Sequence, residues 1–160
     1  MTTDEQLIHT FYTAFKKGDY LTMQRSYADN ARFSDPVFKD LNASQVRAMW
    51  EMFLRTNKTL SVDFSGVRQQ GDLITADWVA HYTLSSTGNP VSNHIKAEFS
   101  ITDGKITRHT DHFNFYGWSR QALGLTGTLL GWTPYIKNKI RRTAHASLLR
   151  FIREHDKTGL

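Results

Sequence analysis

The stretch DGKITRHTDHFNF, residues 103–115, is typical of a hairpin turn followed by a long strand, with a carboxylate on the apolar face of the strand. The Asp103-Gly104 pair is typical of a hairpin turn. Side chains alternate along a strand, and one face of this strand then carries His109, Asp111, Phe113 and Phe115. Because two of these side chains are phenylalanines, the face is predicted to point into the core.

Asp111 is therefore the leading candidate for acid/base chemistry. An ionised carboxylate among phenylalanines is costly unless it is hydrogen-bonded, paired or held neutral. Carboxylates in such surroundings are often catalytic acids or bases. Two alternatives stay open: an Asp that bonds a neighbouring backbone amide, or an alternation that slips at a β-bulge.

Three helices are predicted in the N-terminal third of the chain. Residues 3–6, Thr-Asp-Glu-Gln, have the spacing of a capping box and indicate a helix that ends near Gly18. Asp19 is a suitable N-cap for a short second helix. Asn42 to Gln45 is a variant capping box, and apolar side chains recur behind it at helical spacing to about Arg55.

Long strands follow these helices. Residues 59–69, 73–84 and 91–102 each alternate apolar and polar side chains, and the Asp111 strand closes the set. An earlier strand over residues 31–38 is expected to be interrupted by Asp35-Pro36, since proline cannot donate to a β-ladder. Helices followed by a run of antiparallel strands are an α+β pattern.

The composition limits the chemistry and the surroundings of the protein. The 160 residues include no cysteine, which excludes disulfides, thiolate metal sites and a cysteine nucleophile. The first residues show no basic segment followed by an apolar one, and no uncharged apolar run reaches the ~20 residues of a membrane span. A single domain in a cytoplasmic location is expected.

The order of these motifs resembles the nuclear transport factor 2-like superfamily over about residues 3–117. The resemblance is carried by the three helices, by FSDPVF at 33–38, by GKI at 104–106 and by DHF at 111–113. Its relevant branches are the SnoaL-like polyketide cyclases, ketosteroid isomerases and limonene epoxide hydrolases. It implies a cone-shaped, curved antiparallel sheet wrapped around the N-terminal helices. Residues 1–117 would form this cone domain, and 118–160 a C-terminal helical extension packed on it.

Asp35 is similar in position to the general base of ketosteroid isomerases. That family's oxyanion-hole Asp corresponds to Ala97 here, and its tyrosine partner to Tyr12, so the resemblance does not favour steroid isomerisation. A turn role, in which the Asp35 carboxylate bonds the local backbone, is the alternative.

Asp111 resembles the last-strand Asp of epoxide hydrolases and of SnoaL-like cyclases. Hydrolases of that family use an Asp-Arg-Asp set, whereas residues 93–98 offer no Arg-x-Asp. The cyclases, which need one acid/base Asp in a shaped pocket and no cofactor, are the better fit. His109 either supports Asp111 or lies deeper on the strand. The main alternative to an enzyme is a non-catalytic binding protein.

The pocket implied by the resemblance suits a small apolar or aromatic ligand. The predicted substrate-binding residues are Tyr12, Trp50, Trp78, Tyr82, Phe99 and Phe113, each of which is also compatible with core packing. No metal is expected, because His112 faces away from His109 and Asp111. The outer face of the sheet, with His81, His94 and His112, is either a homodimer interface, as the resemblance implies, or a solvated polar face.

The net charge of +5 comes from the C-terminal segment, which has seven basic and two acidic residues from Thr133 onward. An uncharged, glycine-containing stretch over 121–136 precedes a helix predicted from Thr133-Pro134 to about His155. This segment resembles an interfacial membrane element. The favoured alternative is a helix packed over the mouth of the cone. Nucleic acid is not expected as a partner, since no aromatic platform is interleaved with the basic residues.

Overall fold

The computed structural model, which describes residues 1–156, has an α+β architecture built on one six-stranded sheet. The strand order is β2-β1-β6-β5-β4-β3. The strands are β1 (Tyr27–Ser34), β2 (Leu41–Asn42), β3 (Ser61–Gln70), β4 (Leu73–Thr83), β5 (Pro90–Thr102) and β6 (Lys105–His112). The helices are α1 (Thr3–Lys17), α2 (Tyr20–Arg25), α3 (Ala43–Thr56), α4 (Phe115–Leu123), α5 (Leu125–Leu130) and α6 (Pro134–Asp156).

Capping residues set the starts of the first three helices. In α1 the capping box is formed by Thr2 and Glu5, so the prediction of Thr3 and Gln6 is wrong by one residue. The reason is that the Glu5 carboxylate accepts a hydrogen bond from the Thr2 backbone N–H at 2.8 Å. The N-cap is therefore Thr2, and the helix begins one residue earlier than predicted. The predicted cap of α2 at Asp19 is confirmed, as is the capping box from Asn42 to Gln45.

Strands β3 to β6 form the predicted antiparallel meander, but β1 runs parallel to β6. The sheet is therefore mixed, because β1 reaches β6 only through a long connection that does not fix its direction. The register shifts in the β3–β4 and β5–β6 pairs, and such irregularities bend a sheet. The resulting sheet is curved, and it does not close into a barrel.

Several strand boundaries differ from the predictions by one to four residues, and two of the differences bear on the site. β1 ends at Ser34, so Asp35 and Pro36 lie in the turn after it rather than inside a strand over 31–38. β6 ends at His112, and Asn114 caps α4 by accepting from the Gly117 N–H. In both places a capping or turn side chain ends the strand before the apolar pattern does.

The core lies between the concave face of the sheet and helices α1 and α3. The alternation predicted for β4 and β5 is confirmed, with buried side chains at Ile74, Ala76, Trp78, Ala80, Val91, Ile95, Ala97 and Phe99. Aromatic rings from α1 and α3 meet them, and Phe15 lies 5.1 Å from Trp50 between ring centroids. An aromatic core therefore fills the space between the concave face and these helices.

The uncharged stretch after residue 120 forms the end of α4 and all of α5, which the sequence pattern does not predict. Helix α6 then lies against α3, with Leu148 fully buried. No helix within residues 1–156 is both long and apolar enough to cross a membrane. The division into a cone domain, 1–117, and an extension, 118–160, stays a prediction.

Candidate functional site

A cavity of about 200 Å³ lies between the concave face of the sheet and α3. Its walls are mostly aromatic and aliphatic, and two carboxylates, from Asp35 and Asp111, open onto it. The other lining residues are Val37, Phe38, Met49, Trp50, Met52, Phe53, Trp78, Ala80, Tyr82, Asn93, Ile95, Phe113 and Trp118. Carboxylates in an apolar enclosure are strongly affected by each other's charge, because little solvent screens them.

Asp111 lies on β6, directly opposite Ala97 of β5, and only 3 % of its surface is exposed. Within residues 1–156 its carboxylate forms no hydrogen bond to the backbone. Its partner is His109, whose Nε2 lies 2.8 Å from Asp111 Oδ1. The carboxylate is therefore not engaged in hydrogen bonds to the local backbone, and its second oxygen, Oδ2, is free to face the cavity.

His109 belongs to a buried chain of hydrogen bonds that ends at Asp111. Trp50 Nε1 donates to the Tyr27 hydroxyl at 2.8 Å, and that hydroxyl lies 2.8 Å from His109 Nδ1. Because indole is only a donor, one arrangement satisfies every group. The Tyr27 O–H donates to Nδ1, and the Nε2–H of a neutral His109 donates to the Asp111 carboxylate. This chain fixes the imidazole tautomer and supplies a donor to one carboxylate oxygen.

Asp35 is held by the turn that follows β1. Its Oδ1 accepts from the backbone N–H groups of Val37 at 2.7 Å and Phe38 at 2.6 Å. The pKa of Asp35 is raised to about 7, mainly by burial and also by the nearby charge of Asp111, while the two backbone donors oppose the rise. Asp35 therefore stabilises the turn through its backbone hydrogen bonds and also lines the cavity as an acid, so the two interpretations of its role are compatible.

The cavity brings together most of the predicted site. Asp35, Asp111 and the aromatic residues Trp50, Trp78, Tyr82 and Phe113 all line it. His109 lies behind Asp111 and is buried against Phe99, with ring centroids 4.1 Å apart. Tyr12 and Phe99 do not line the cavity; they are packed in the core, where the Tyr12 hydroxyl has no hydrogen-bond partner among residues 1–156.

Nine of the fifteen lining residues are absent from the predicted site, and two of them, Asn93 and Trp118, carry side-chain N–H groups. Asn93 lies two residues before the inward-facing Ile95 on β5, so the alternation of side chains along the strand does predict that Asn93 points inward. Trp118 lies on α4, and its Nε1 donates to the Tyr82 hydroxyl at 2.8 Å. No local pattern indicates Trp118, because its position depends on how α4 folds back onto the sheet.

The outer face of the sheet is polar and exposed. His81, His94 and His112 lie there, as predicted, and the His112 imidazole is 3.7 Å from the Glu98 carboxylate. In the part of the chain that the structure describes, no group of three His, Asp or Glu side chains is arranged to hold a metal ion.

Comparison with known proteins points to one family. A family model described as a SnoaL-like domain matches residues 8–109, which include Asp35 and end two residues before Asp111. No curated protein matches the sequence.

Several solved structures are similar to this chain, and the similarity covers nearly the whole length of each of them. A putative polyketide cyclase, IdmH from Streptomyces antibioticus, is 20% identical with a TM-score of 0.63, covering 76% of this chain and 99% of its own. An epoxide hydrolase of M. tuberculosis is 15% identical with a TM-score of 0.61, covering 80% and 96%. TerC, crystallised with polyporic acid, is 14% identical with a TM-score of 0.65, covering 75% and 98%. At these identities the likeness shows the fold.

Proposed function

The chain belongs to the SnoaL-like family, and on that premise we propose that it is a cofactor-independent acid/base enzyme for a small apolar carbonyl or epoxide compound. The reaction would be an isomerisation, a cyclisation or an addition of water. The observation that carries this proposal is the presence of two carboxylates, Asp35 and Asp111, in different environments of one apolar cavity. Pairs of titratable groups in contrasting environments are typical of acid/base sites.

In this proposal the two carboxylates have complementary roles. Asp111, which receives a hydrogen bond from His109, takes a proton from an acidic C–H or from water. Asp35, with a pKa of about 7, is largely protonated just below neutral pH and donates its own proton to the developing oxyanion through its free Oδ2. Reversal of the two transfers, or proton exchange with solvent, then restores both carboxyl groups. His109 and Tyr27 are positioning residues, since neither lines the cavity.

The cavity walls define the class of substrate. A volume of about 200 Å³ is below the range of about 300–1,000 Å³ common for ligand sites, which favours a small molecule. Trp50 and Trp78 provide flat apolar surface. The Asn93 amide has no hydrogen bond within residues 1–156 and is suited to bind a substrate carbonyl or hydroxyl.

The test follows exchange of an acidic proton and does not require the natural substrate. The full-length protein is incubated in D₂O with a panel of small aryl ketones that have α C–H groups, and deuterium uptake is followed by NMR. Epoxides of similar size are tested in parallel for diol formation. Asp111→Asn is expected to reduce exchange or hydrolysis at least 100-fold, the lower end for general base catalysis. Ligand binding, measured by tryptophan fluorescence, should persist.

Asp77→Asn is the matched control, because Asp77 is an exposed carboxylate on the outward face of β4. Its activity should equal that of the wild type. Equal activities of wild type and Asp111→Asn would overturn the proposed role of Asp111.

A non-catalytic binding protein is the competing function. Ala97 occupies the position opposite Asp111, so that strand position offers no second acid for an oxyanion hole. A binding protein would take up the same ketones without any exchange, and Asp111→Asn would change only their affinity. Replacing Ala80, which lines the cavity, by Leu should weaken binding under both functions, and it therefore locates the ligand.

We also propose that the protein is a cytoplasmic homodimer that uses the outer face of the sheet. This face carries His81 and His94, which remain exposed in the single chain. Light scattering of the purified protein tests this proposal. A dimer that dissociates in His94→Glu is expected, and a monomer at high micromolar concentration would contradict it.

A further inference from the structure

The segment between α4 and α6, which contains α5, has an apolar tip that is exposed to solvent. The tip consists of Leu125, Leu129, Leu130, Trp132 and Tyr135, which are 74%, 60%, 45%, 71% and 66% exposed. Isolated exposed apolar side chains are normal on protein surfaces. Here five lie within eleven residues, and Trp132 Nε1 donates to the Leu129 carbonyl oxygen at 3.0 Å. Such a concentration of exposed apolar side chains is characteristic of an interaction site.

The tip is held in place by close packing. A Cβ atom at Gly127 would lie 1.8 Å from the Ser119 carbonyl oxygen, so α4 and α5 are in backbone contact there. Asn89 and Thr87, from the β4–β5 loop, both donate to the Ala122 carbonyl oxygen at the end of α4. The apolar side chains therefore project from a fixed surface.

A basic stripe continues from the tip along α6. Tyr135, Lys139, Arg142, Leu149 and Arg153 are exposed and are separated by 4, 3, 7 and 4 residues. At about 100° per residue these spacings place all five within about 40° of one line along the helix. No ion pair compensates the basic residues of this stripe within residues 1–156, and the sequence has no acidic residue between Asp111 and Glu154.

Neighbouring cations add to the positive potential at the start of α6. The pKa of Lys137 is lowered mainly by burial, and the positive charges of Arg141 and Lys39 lower it further. The Lys137 ammonium lies 5.7 Å from the centroid of the Phe115 ring, over which it packs. The segment therefore combines an apolar end with a positively charged flank.

We propose that the apolar tip and the basic stripe dock the protein on the surface of an anionic lipid bilayer. Trp132 and the exposed leucines enter the interfacial region, where tryptophan is favoured. Lys139, Arg142 and Arg153 attract the anionic headgroups. The protein lies on the membrane without spanning it.

Two other occupants fit this surface less well. A second copy of the chain would bring two uncompensated positive stripes together, which is repulsive. A nucleic acid would match the charge but would leave Leu125 and Leu129 exposed to water. An anionic bilayer is the partner that complements both parts of the surface.

Flotation of the full-length protein with vesicles tests the proposal. One set is pure phosphatidylcholine, and the other is equal parts phosphatidylcholine and phosphatidylserine. Binding is expected to the anionic set and to fall when salt is raised to 1 M, where the Debye length is about 3 Å. Lys139→Gln with Arg142→Gln should weaken binding about 25-fold, since each basic residue contributes about fivefold. Trp132→Ser should also weaken it and remove a blue shift in tryptophan fluorescence.

The matched control is Leu73→Ser, which changes a 42% exposed leucine far along the sequence from the tip. It should bind vesicles like the wild type. Equal binding by Leu73→Ser and Trp132→Ser, or an absence of binding to anionic vesicles, would overturn the proposal. A lipid-free dimer that Trp132→Ser dissociates would assign the tip to a second copy. Binding to an oligonucleotide in preference to the vesicles would assign the stripe to nucleic acid.

Discussion

Asp35 is unusual in the way its two carboxylate oxygens are used. One oxygen receives two short backbone hydrogen bonds, at 2.7 and 2.6 Å, while the other has no hydrogen bond within residues 1–156. Backbone donors favour the charged form, but burial and the charge of Asp111 favour the neutral form and prevail, which raises the pKa of Asp35 to about 7. An Asp that changes protonation near neutral pH is suited to donate and accept protons under ordinary conditions.

This pKa predicts how stability depends on pH. Because the pKa is about 7 in the folded state and near its ordinary value of 3.8 in the unfolded chain, Asp35 stabilises the fold fully below about 3.8. This stabilisation is lost as the pH rises to about 7. The full difference corresponds to about 4 kcal/mol, and solvent entering the cavity reduces it to about 2–4 kcal/mol.

Asp35→Asn should remove this pH dependence, since the amide keeps the turn hydrogen bonds and does not ionise. Urea unfolding at pH 4 and pH 8 provides the measurement. Between pH 4 and pH 8 the wild type should lose about 2–4 kcal/mol of its free energy of unfolding that the variant does not lose. Asp77→Asn controls for the loss of an exposed carboxylate. Parallel pH profiles for Asp35→Asn and the wild type would contradict the raised pKa.

Two buried tyrosines, Tyr12 and Tyr27, differ in their hydrogen bonding. The Tyr12 hydroxyl has no partner within residues 1–156, whereas the Tyr27 hydroxyl bonds both Trp50 and His109. Tyr12→Phe should leave the free energy of unfolding unchanged or raise it by about 1 kcal/mol. Tyr27→Phe should lower it by about 1–3 kcal/mol, because two buried groups lose their partner. Chemical denaturation of both variants distinguishes them, and equal losses would contradict the hydrogen-bond chain.

At the scale of elements, the packing of α4 on α5 depends on glycine. Glycine has a low helix propensity, which is why the sequence of this region does not predict a helix. The absence of a side chain lets the backbone around Gly131 approach α5 and α4 closely. A Cβ at Gly131 would lie 2.4 Å from the Gly127 carbonyl oxygen and 2.7 Å from Ser119 Cβ. Such a requirement arises from tertiary contacts, and no local pattern records it.

Gly127→Ala should therefore separate α5 from α4. The expected loss in free energy of unfolding is at least about 2 kcal/mol, as for an overpacked site. Gly117→Ala is the matched control, because its Cβ would meet nothing closer than 3.4 Å and alanine favours a helix. Thermal unfolding of the two variants should differ clearly. Equal stability of Gly127→Ala and the wild type would show that α4 and α5 are not in backbone contact.

At the scale of the whole molecule, alternation and capping patterns predict more of the fold than of the site. They indicate the α+β class, the strands β3 to β5 and the inward position of Asp111. They do not indicate that β1 is parallel to β6, a pairing that places Phe33 beside His109. The buried chain behind Asp111 and the contribution of Trp118 to the cavity depend on such long-range placement, which a single sequence does not encode locally.

The titration of Asp35 tests whether its carboxylate and that of Asp111 share one cavity. The ¹³C carboxyl shift of Asp35 is followed by NMR against pH in the wild type and in Asp111→Asn. A midpoint near pH 7 is expected in the wild type, and a lower midpoint in the variant, where the neighbouring negative charge is gone. A midpoint near 3.8 that does not change in Asp111→Asn would contradict a shared cavity.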